Sequence, residues 1–216
     1  MQNKIVLLFS FLLTAPAASF CQKVTSYDLP KMLRTKKLEL TFPEQEVMTF
    51  SNPSNSAISE KGILWLKDVN FKEGTIDVDL RGRNVLLKSF VGIAFHARDT
   101  TAYELVYFCP FRFHDTDLVA RKWSVKYMTV PNFDYKKLRT EQPGIYENEV
   151  TPAPGEADWF HATITVRDGW ITVYMNHSAT PSLRVKKLDT LTEGKIGLWS
   201  YTSSLSSDFA NLSITR

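Results

Sequence analysis

The chain has 216 residues, 44% of them hydrophobic and 23% charged, with a formal charge of +3. These are the proportions of a globular protein long enough to bury a core of its own. So small a charge, with no basic, Gly-rich or aromatic RNA-binding signature beside it, argues against a nucleic-acid partner.

At the N-terminus, Lys4 precedes an apolar run from Ile5 to Leu13 broken only by Ser10, and small residues dominate positions 14–19. This pattern predicts a secretory signal peptide over residues 1–21, too short to be a spanning helix, with cleavage before Gln22. A lipoprotein would instead be acylated on Cys21, and Phe20 is too bulky for the position ahead of it. The rest of the chain carries no long apolar run, repeat or domain boundary. A single domain over residues 22–216 is expected, secreted or periplasmic, monomeric and without a membrane span. Cleavage leaves Cys109 as the sole cysteine and no internal disulfide, so the core alone must hold the fold. In the string YFCPF, Cys109 reads as a small buried hydrophobe rather than a nucleophile.

Short β-like runs follow at 37–42, 63–66, 75–81, 90–97, 103–109 and 123–129, then a hairpin over 161–176 and runs at 182–187, 195–201 and 209–215. Helical spacing is confined to one or two turns over 135–141. Many short strands separated by turn signals predict an all-β sandwich or barrel. In GTIDVDLRG, Ile76, Val78 and Leu80 face one way while Asp77, Asp79 and Arg81 face the other. In FVGIAFHAR, alternation puts Val91, Ile93 and Phe95 on a core face and Gly92, Ala94, His96 and Arg98 on its opposite. Tiny side chains on that second face leave either a ligand groove or a seat for a packed loop.

Glu104, in the apolar run YELVYF, is costly to bury without a partner. It is a candidate acid/base group or sugar-hydroxyl acceptor, with His96 as its companion; the alternative is an ion pair with Arg98 or Arg112. Arg112 and Arg139 lie in the long unpatterned segments 111–122 and 131–158, and suit bidentate contacts to hydroxyls or to an acidic sugar. Trp123, Val125 and Tyr127 share one strand face, either for stacking on a sugar or for the core. The string His114 to Asp117 lacks the spacing of a calcium loop, so no metal is expected. No nucleophile elbow, Gly-rich phosphate loop or CxxC pair suggests a cofactor. In HATITVRDGWITVYMN, the Asp168-Gly169 turn sets Val166 opposite Ile171, Ile164 opposite Val173 and Ala162 opposite Met175. Polar and aromatic pairs fill the other face.

Taken together, GTIDVDLRG, FVGIAFHA, YELVYF, DWFHATITVRDGWITVYMN and GKIGLWSYTSSLSSDFANLSI resemble the concanavalin A-like lectin/glucanase superfamily. Within it the chain is most similar to secreted bacterial 3-keto-disaccharide hydrolase-type, glycosyl-hydrolase-like domains. The resemblance spans about Gly62 to Ile214 and implies a jelly-roll sandwich of two antiparallel sheets with a carbohydrate groove on a concave face. The sequence departs from laminarinase-like members, whose E-x-D-x-x-E strand is replaced by Ile76-Asp77-Val78-Asp79-Leu80-Arg81. It also departs from the hydrolase group, since Tyr103-Glu104-Leu105-Val106 keeps the glutamate of that group but not its glutamine.

The expected function is to bind a glycan or oligosaccharide and, as an enzyme, to hydrolyse it. Glu104 and His96 would be the acid/base pair, Arg112 and Arg139 would fix the sugar, and Trp123, Tyr127, Tyr107 and Trp159 would contact it. A non-catalytic carbohydrate-binding module and a protein-interaction jelly roll are the competing classes.

Overall fold

A computed structural model describes residues 22–51, 56–188, 190–201 and 205–216; the expected signal segment 1–21 lies outside the described residues. The chain begins with β1 (Val24–Tyr27), α1 (Leu29–Arg34), β2 (Leu38–Leu40), β3 (Val47–Ser51), β4 (Ser56–Glu60) and β5 (Gly62–Phe71). It continues through β6 (Gly74–Arg81), β7 (Phe90–Asp99), β8 (Ala102–Phe108), α2 (Leu118–Arg121), β9 (Val125–Val130) and α3 (Tyr135–Glu141). β10 (Glu147–Asn148), β11 (Phe160–Arg167), β12 (Trp170–Met175), β13 (Leu183–Lys186), β14 (Gly194–Tyr201) and β15 (Ser207–Thr215) complete it. The expected helical turns at 135–141 are α3, started by the Asp134 carboxylate, which accepts from the Lys136 and Lys137 amides.

The strands form two antiparallel sheets. One has the order β13-β12-β11-β6-β15-β4-β3, with β1 also pairing β15; the other runs β10-β9-β8-β7-β14-β5-β2. The β11–β12 hairpin has the register its sequence dictates, Ala162 opposite Met175 through Arg167 opposite Trp170. Its two turn residues both take positive φ, 51° at Asp168 and 73° at Gly169.

Strand alternation then places the core. Ile76, Val78, Leu80, Ile164, Val166, Ile171 and Val173 from the first sheet meet Val91, Ile93, Phe95, Val106, Phe108 and Leu198 from the second. The opposite face of the second sheet is apolar as well. Trp65, Ala94, Leu105, Tyr107, Met128 and Trp199 form a separate buried cluster there. A two-layer sandwich leaves such a face open to solvent, so its apolar character calls for loop cover or a ligand.

One irregularity matters for the site. Pairing of β7 with both neighbours slips next to His96, between Phe95 and Asp99 on the β8 side, and His96 takes a φ of 50°. This bulge reverses the alternation and turns the imidazole inward, away from the face that Gly92 and Ala94 share. Gly194 faces the bulge, and a Cβ there would lie 2.5 Å from the Ala97 carbonyl oxygen.

Candidate functional site

On the outer face of the second sheet lies a groove of about 520 Å³. Tyr107 of β8, Lys126 and Met128 of β9 and Trp199 of β14 form its floor. Phe111, Arg112 and Trp123, from the segment between β8 and β9, make one wall, and Tyr135 and Arg139 of α3 line it too. Phe90 and the exposed Tyr201 complete the aromatic lining.

The floor depends on Gly92. That glycine pairs with Tyr107 on one side and Trp199 on the other, and the two rings come to 5.4 Å centroid to centroid. A Cβ on Gly92 would sit 2.7 Å from the Tyr107 Cβ and 2.2 Å from the Val106 carbonyl oxygen. The missing side chain thus makes neither a free space nor a loop seat; it lets two aromatic residues close over the strand. Trp199 and Tyr201, two apart on β14, hold nearly parallel rings 6.0 Å apart. The exposed Tyr201 ring, backed by the buried Trp199, offers a flat face of the kind that suits the C–H face of a sugar.

The groove cations are tied down by neighbouring acids. Arg139 places its guanidinium carbon 4.0 Å over the Trp123 ring and donates from Nη2 to Glu147 Oε2 at 2.9 Å. Lys126 Nζ lies 3.4 Å from the same carboxylate and about 6 Å from the Tyr107, Trp123 and Tyr135 rings. Burial draws the Lys126 pKa below its ordinary value. Arg112 pairs with Asp115 and lies 5.6 Å from the Trp123 centroid. The Cys109 thiol also lines the groove, but burial pushes its pKa up to about 12, which leaves it un-ionised and inert.

The structure therefore gathers Arg112, Arg139, Trp123 and Tyr107 of the sequence expectation into one groove. It brings Glu104 and His96 together too, but on the other side of the sheet. Because Tyr103, Leu105 and Tyr107 face the groove side, Glu104 must face inward, and the β7 bulge sends His96 to meet it. The two are 0% and 1% exposed, with His96 Nδ1 2.8 Å from Glu104 Oε1. Lys187 Nζ lies 2.7 Å from that same oxygen, and Tyr127 donates its hydroxyl to Oε2. The acid's cationic partner is thus Lys187, not Arg98 or Arg112.

Tyr127 is also parted from Trp123. Val125 and Tyr127 belong to the core, whereas Trp123 precedes β9 and is free of its alternation. Trp159 sits at the other sheet, beside Phe50 and under the Arg81 guanidinium carbon at 4.9 Å. Sequence reasoning passed over Trp199, Tyr201, Lys126 and Tyr135. Trp199 and Tyr201 had a signal, since both share a β14 face with Gly197 and therefore lie outside the core.

A second polar cluster occupies the outer face of the first sheet. His161 Nδ1 is 2.7 Å from Asp79 and Nε2 is 3.3 Å from Asp77, while the His177 ring stacks on His161 at 4.1 Å. Hydrogen bonds to Asp77 and Asp79 raise the His161 pKa to about 9. Burial alone would raise the carboxylates, but hydrogen bonds from His161, Thr163 and Asn211 outweigh it and lower both. Among the described residues, no group of three or more His, Cys, Asp or Glu side chains is placed to hold a metal ion. The His114 to Asp117 string is used internally: His114 donates to the Pro154 carbonyl and Asp117 caps α2. No described helix is long and apolar enough to cross a membrane.

No family model matches the chain, and no curated protein matches its sequence. Solved structures do. The carbohydrate-binding module CBM66 from Bacillus subtilis aligns at 11% identity with a TM-score of 0.54, covering 82% of this chain and 95% of the module. A Parabacteroides distasonis protein provisionally described as a glycosyl hydrolase aligns at 15% identity and a TM-score of 0.49, covering 89% and 98%. A Bacillus licheniformis β-glucanase aligns at 13% identity and 0.43, covering 83% and 82%. At such identities the likeness is one of fold, a jelly-roll sandwich of two antiparallel sheets.

Proposed function

We propose that the outer-face groove binds a glycan, without cleaving it, and that the protein is a secreted carbohydrate-binding domain whose residues 1–21 are removed on export. The observation that carries this reading is the groove itself: about 520 Å³, with seven aromatic side chains and three cations converging on it. This is within the usual size range of ligand sites, and aromatic faces with a few fixed polar groups are what a sugar requires. The fold shared with CBM66 supports the same class.

Hydrolysis is disfavoured by the acids. Inverting and retaining mechanisms both place two carboxyl groups around the scissile bond. Among the described groove-lining residues the one carboxylate is Asp134, and its side chain is engaged on the first amides of α3. Glu104 and His96 have no face on the groove.

A glycan panel read for both affinity and product release tests the proposal. Saturable binding with no product is expected, and Tyr201→Ala, at an exposed position, should weaken binding roughly tenfold through lost stacking. A protein that binds no glycan would overturn the reading, and a protein that releases product would overturn its non-catalytic part.

A further inference from the structure

The charges at the groove are distributed unequally between its lining and its surroundings. Arg112, Lys126 and Arg139 line it, whereas Glu147 and Asp115, which neutralise them, do not. Glu147 is one carboxylate serving two cations, Lys126 and Arg139, and its own side chain is 11% exposed. The acid that does line the groove, Asp134, is turned to the backbone of α3. A ligand in the groove therefore meets the cationic heads, while the acids paired with them stand beside the groove, outside its lining.

The surroundings of Lys126 sharpen this. Its side chain is 9% exposed, and its nearest charged partner stands at 3.4 Å. Ring faces of Tyr107, Trp123 and Tyr135 stand about 6 Å from its ammonium. Aromatic faces attract an ammonium but offer it no lone pair in the plane of a conventional acceptor. Arg139 and Arg112 lie 4.0 and 5.6 Å from the Trp123 centroid, so all three cations surround one indole. Three cations served by only two acids leave a net positive site, which favours an anionic oxygen group over neutral hydroxyls because charge-assisted hydrogen bonds are about twice as strong as neutral ones.

Resting on the carbohydrate reading above, we infer that the glycan is anionic. Its carboxylate or sulfate group is seated by Lys126, Arg139 and Arg112 around Trp123, while neighbouring sugar rings stack along Trp199 and Tyr201. A sugar carboxylate and a sugar sulfate share the required chemistry, and the choice of probe separates them.

The test is titration of the purified protein with an oligogalacturonide and its methyl ester, a sulfated galactan oligosaccharide and its desulfated form, and a neutral cello-oligosaccharide. One of the two charged probes should bind, and neutralising it should cost roughly tenfold or more in affinity. Whichever charged probe binds names the anion. Arg139→Gln and Lys126→Met should each cost a similar factor, and the ester and desulfation comparisons need no variant that has to fold. Neutral forms binding as tightly as charged ones, or both variants retaining full affinity for the charged probe, would overturn the inference and leave the carbohydrate reading standing. Failure of every probe across this set and the wider panel would overturn both.

Discussion

Glu104 shows how burial decides what a carboxylate can do. Lys187, His96 and Tyr127 converge on it from three different parts of the chain, and Leu188 donates its amide to the Tyr127 hydroxyl. The acid thereby fastens the segment after β13 to the interior of the second sheet. Glu104→Gln keeps the shape but strands the Lys187 ammonium, and breaking one side of a buried pair costs roughly 3–5 kcal/mol. We expect denaturant unfolding to show a loss near the lower limit, since Lys187 keeps some contact with water, while glycan affinity of the folded variant is unchanged. A fully stable variant that has lost its ligand would return Glu104 to the binding machinery. His161 offers a second test, in pH. Its raised pKa makes its contribution complete below its ordinary value of 6.5 and lost as pH rises through about 9. Asp77 and Asp79, both lowered, act in the opposite sense and lose their contribution as pH falls through their lowered values. Solvent screening at this part-exposed site leaves the imidazolium worth roughly 1–2 kcal/mol. The melting temperature should therefore decline between pH 6.5 and 9, and His161→Asn should flatten that decline. Equal slopes in parent and variant would refute the linkage.

At the scale of the element, two devices build the groove: the alternation of β8, β9 and β14, and the bulge in β7. Alternation sends Tyr107, Lys126, Met128 and Trp199 outward together. The bulge keeps the groove side free of His96 and delivers the imidazole to the interior. Gly92 joins the two devices, because only a residue without a side chain lets Tyr107 and Trp199 meet across β7. Gly92→Ala would drive a Cβ into the Val106 carbonyl and the Tyr107 backbone, neither of which can rotate away. Overpacking of this kind costs roughly 1–3 kcal/mol. The same change should weaken glycan binding by displacing Tyr107, and urea unfolding with a parallel titration would measure both. An unaltered titration would show that the floor tolerates the shift.

At the scale of the molecule, the two outer faces have opposite characters. One carries an ion cluster that ties β6 to β11; the other carries the aromatic rings and cations of the proposed glycan groove. The all-β class, the single hairpin register and the outward face of β6 were legible in the residues themselves, because a two-residue turn and a period of two are local properties. The resemblance read from GKIGLW and its companions likewise agrees with the jelly roll observed. Arg112, Arg139, Trp123 and Tyr107 were legible as candidates but not as neighbours. What the chain alone determined was which residues alternate and where it turns. Only the tertiary structure decided that Glu104 and Tyr127 face the interior and that β7 bulges at His96. It alone showed that Lys187, 83 positions along the chain, supplies the partner of Glu104. Those are decisions of register between strands distant in sequence, and a single slipped pair reverses every side chain beyond it.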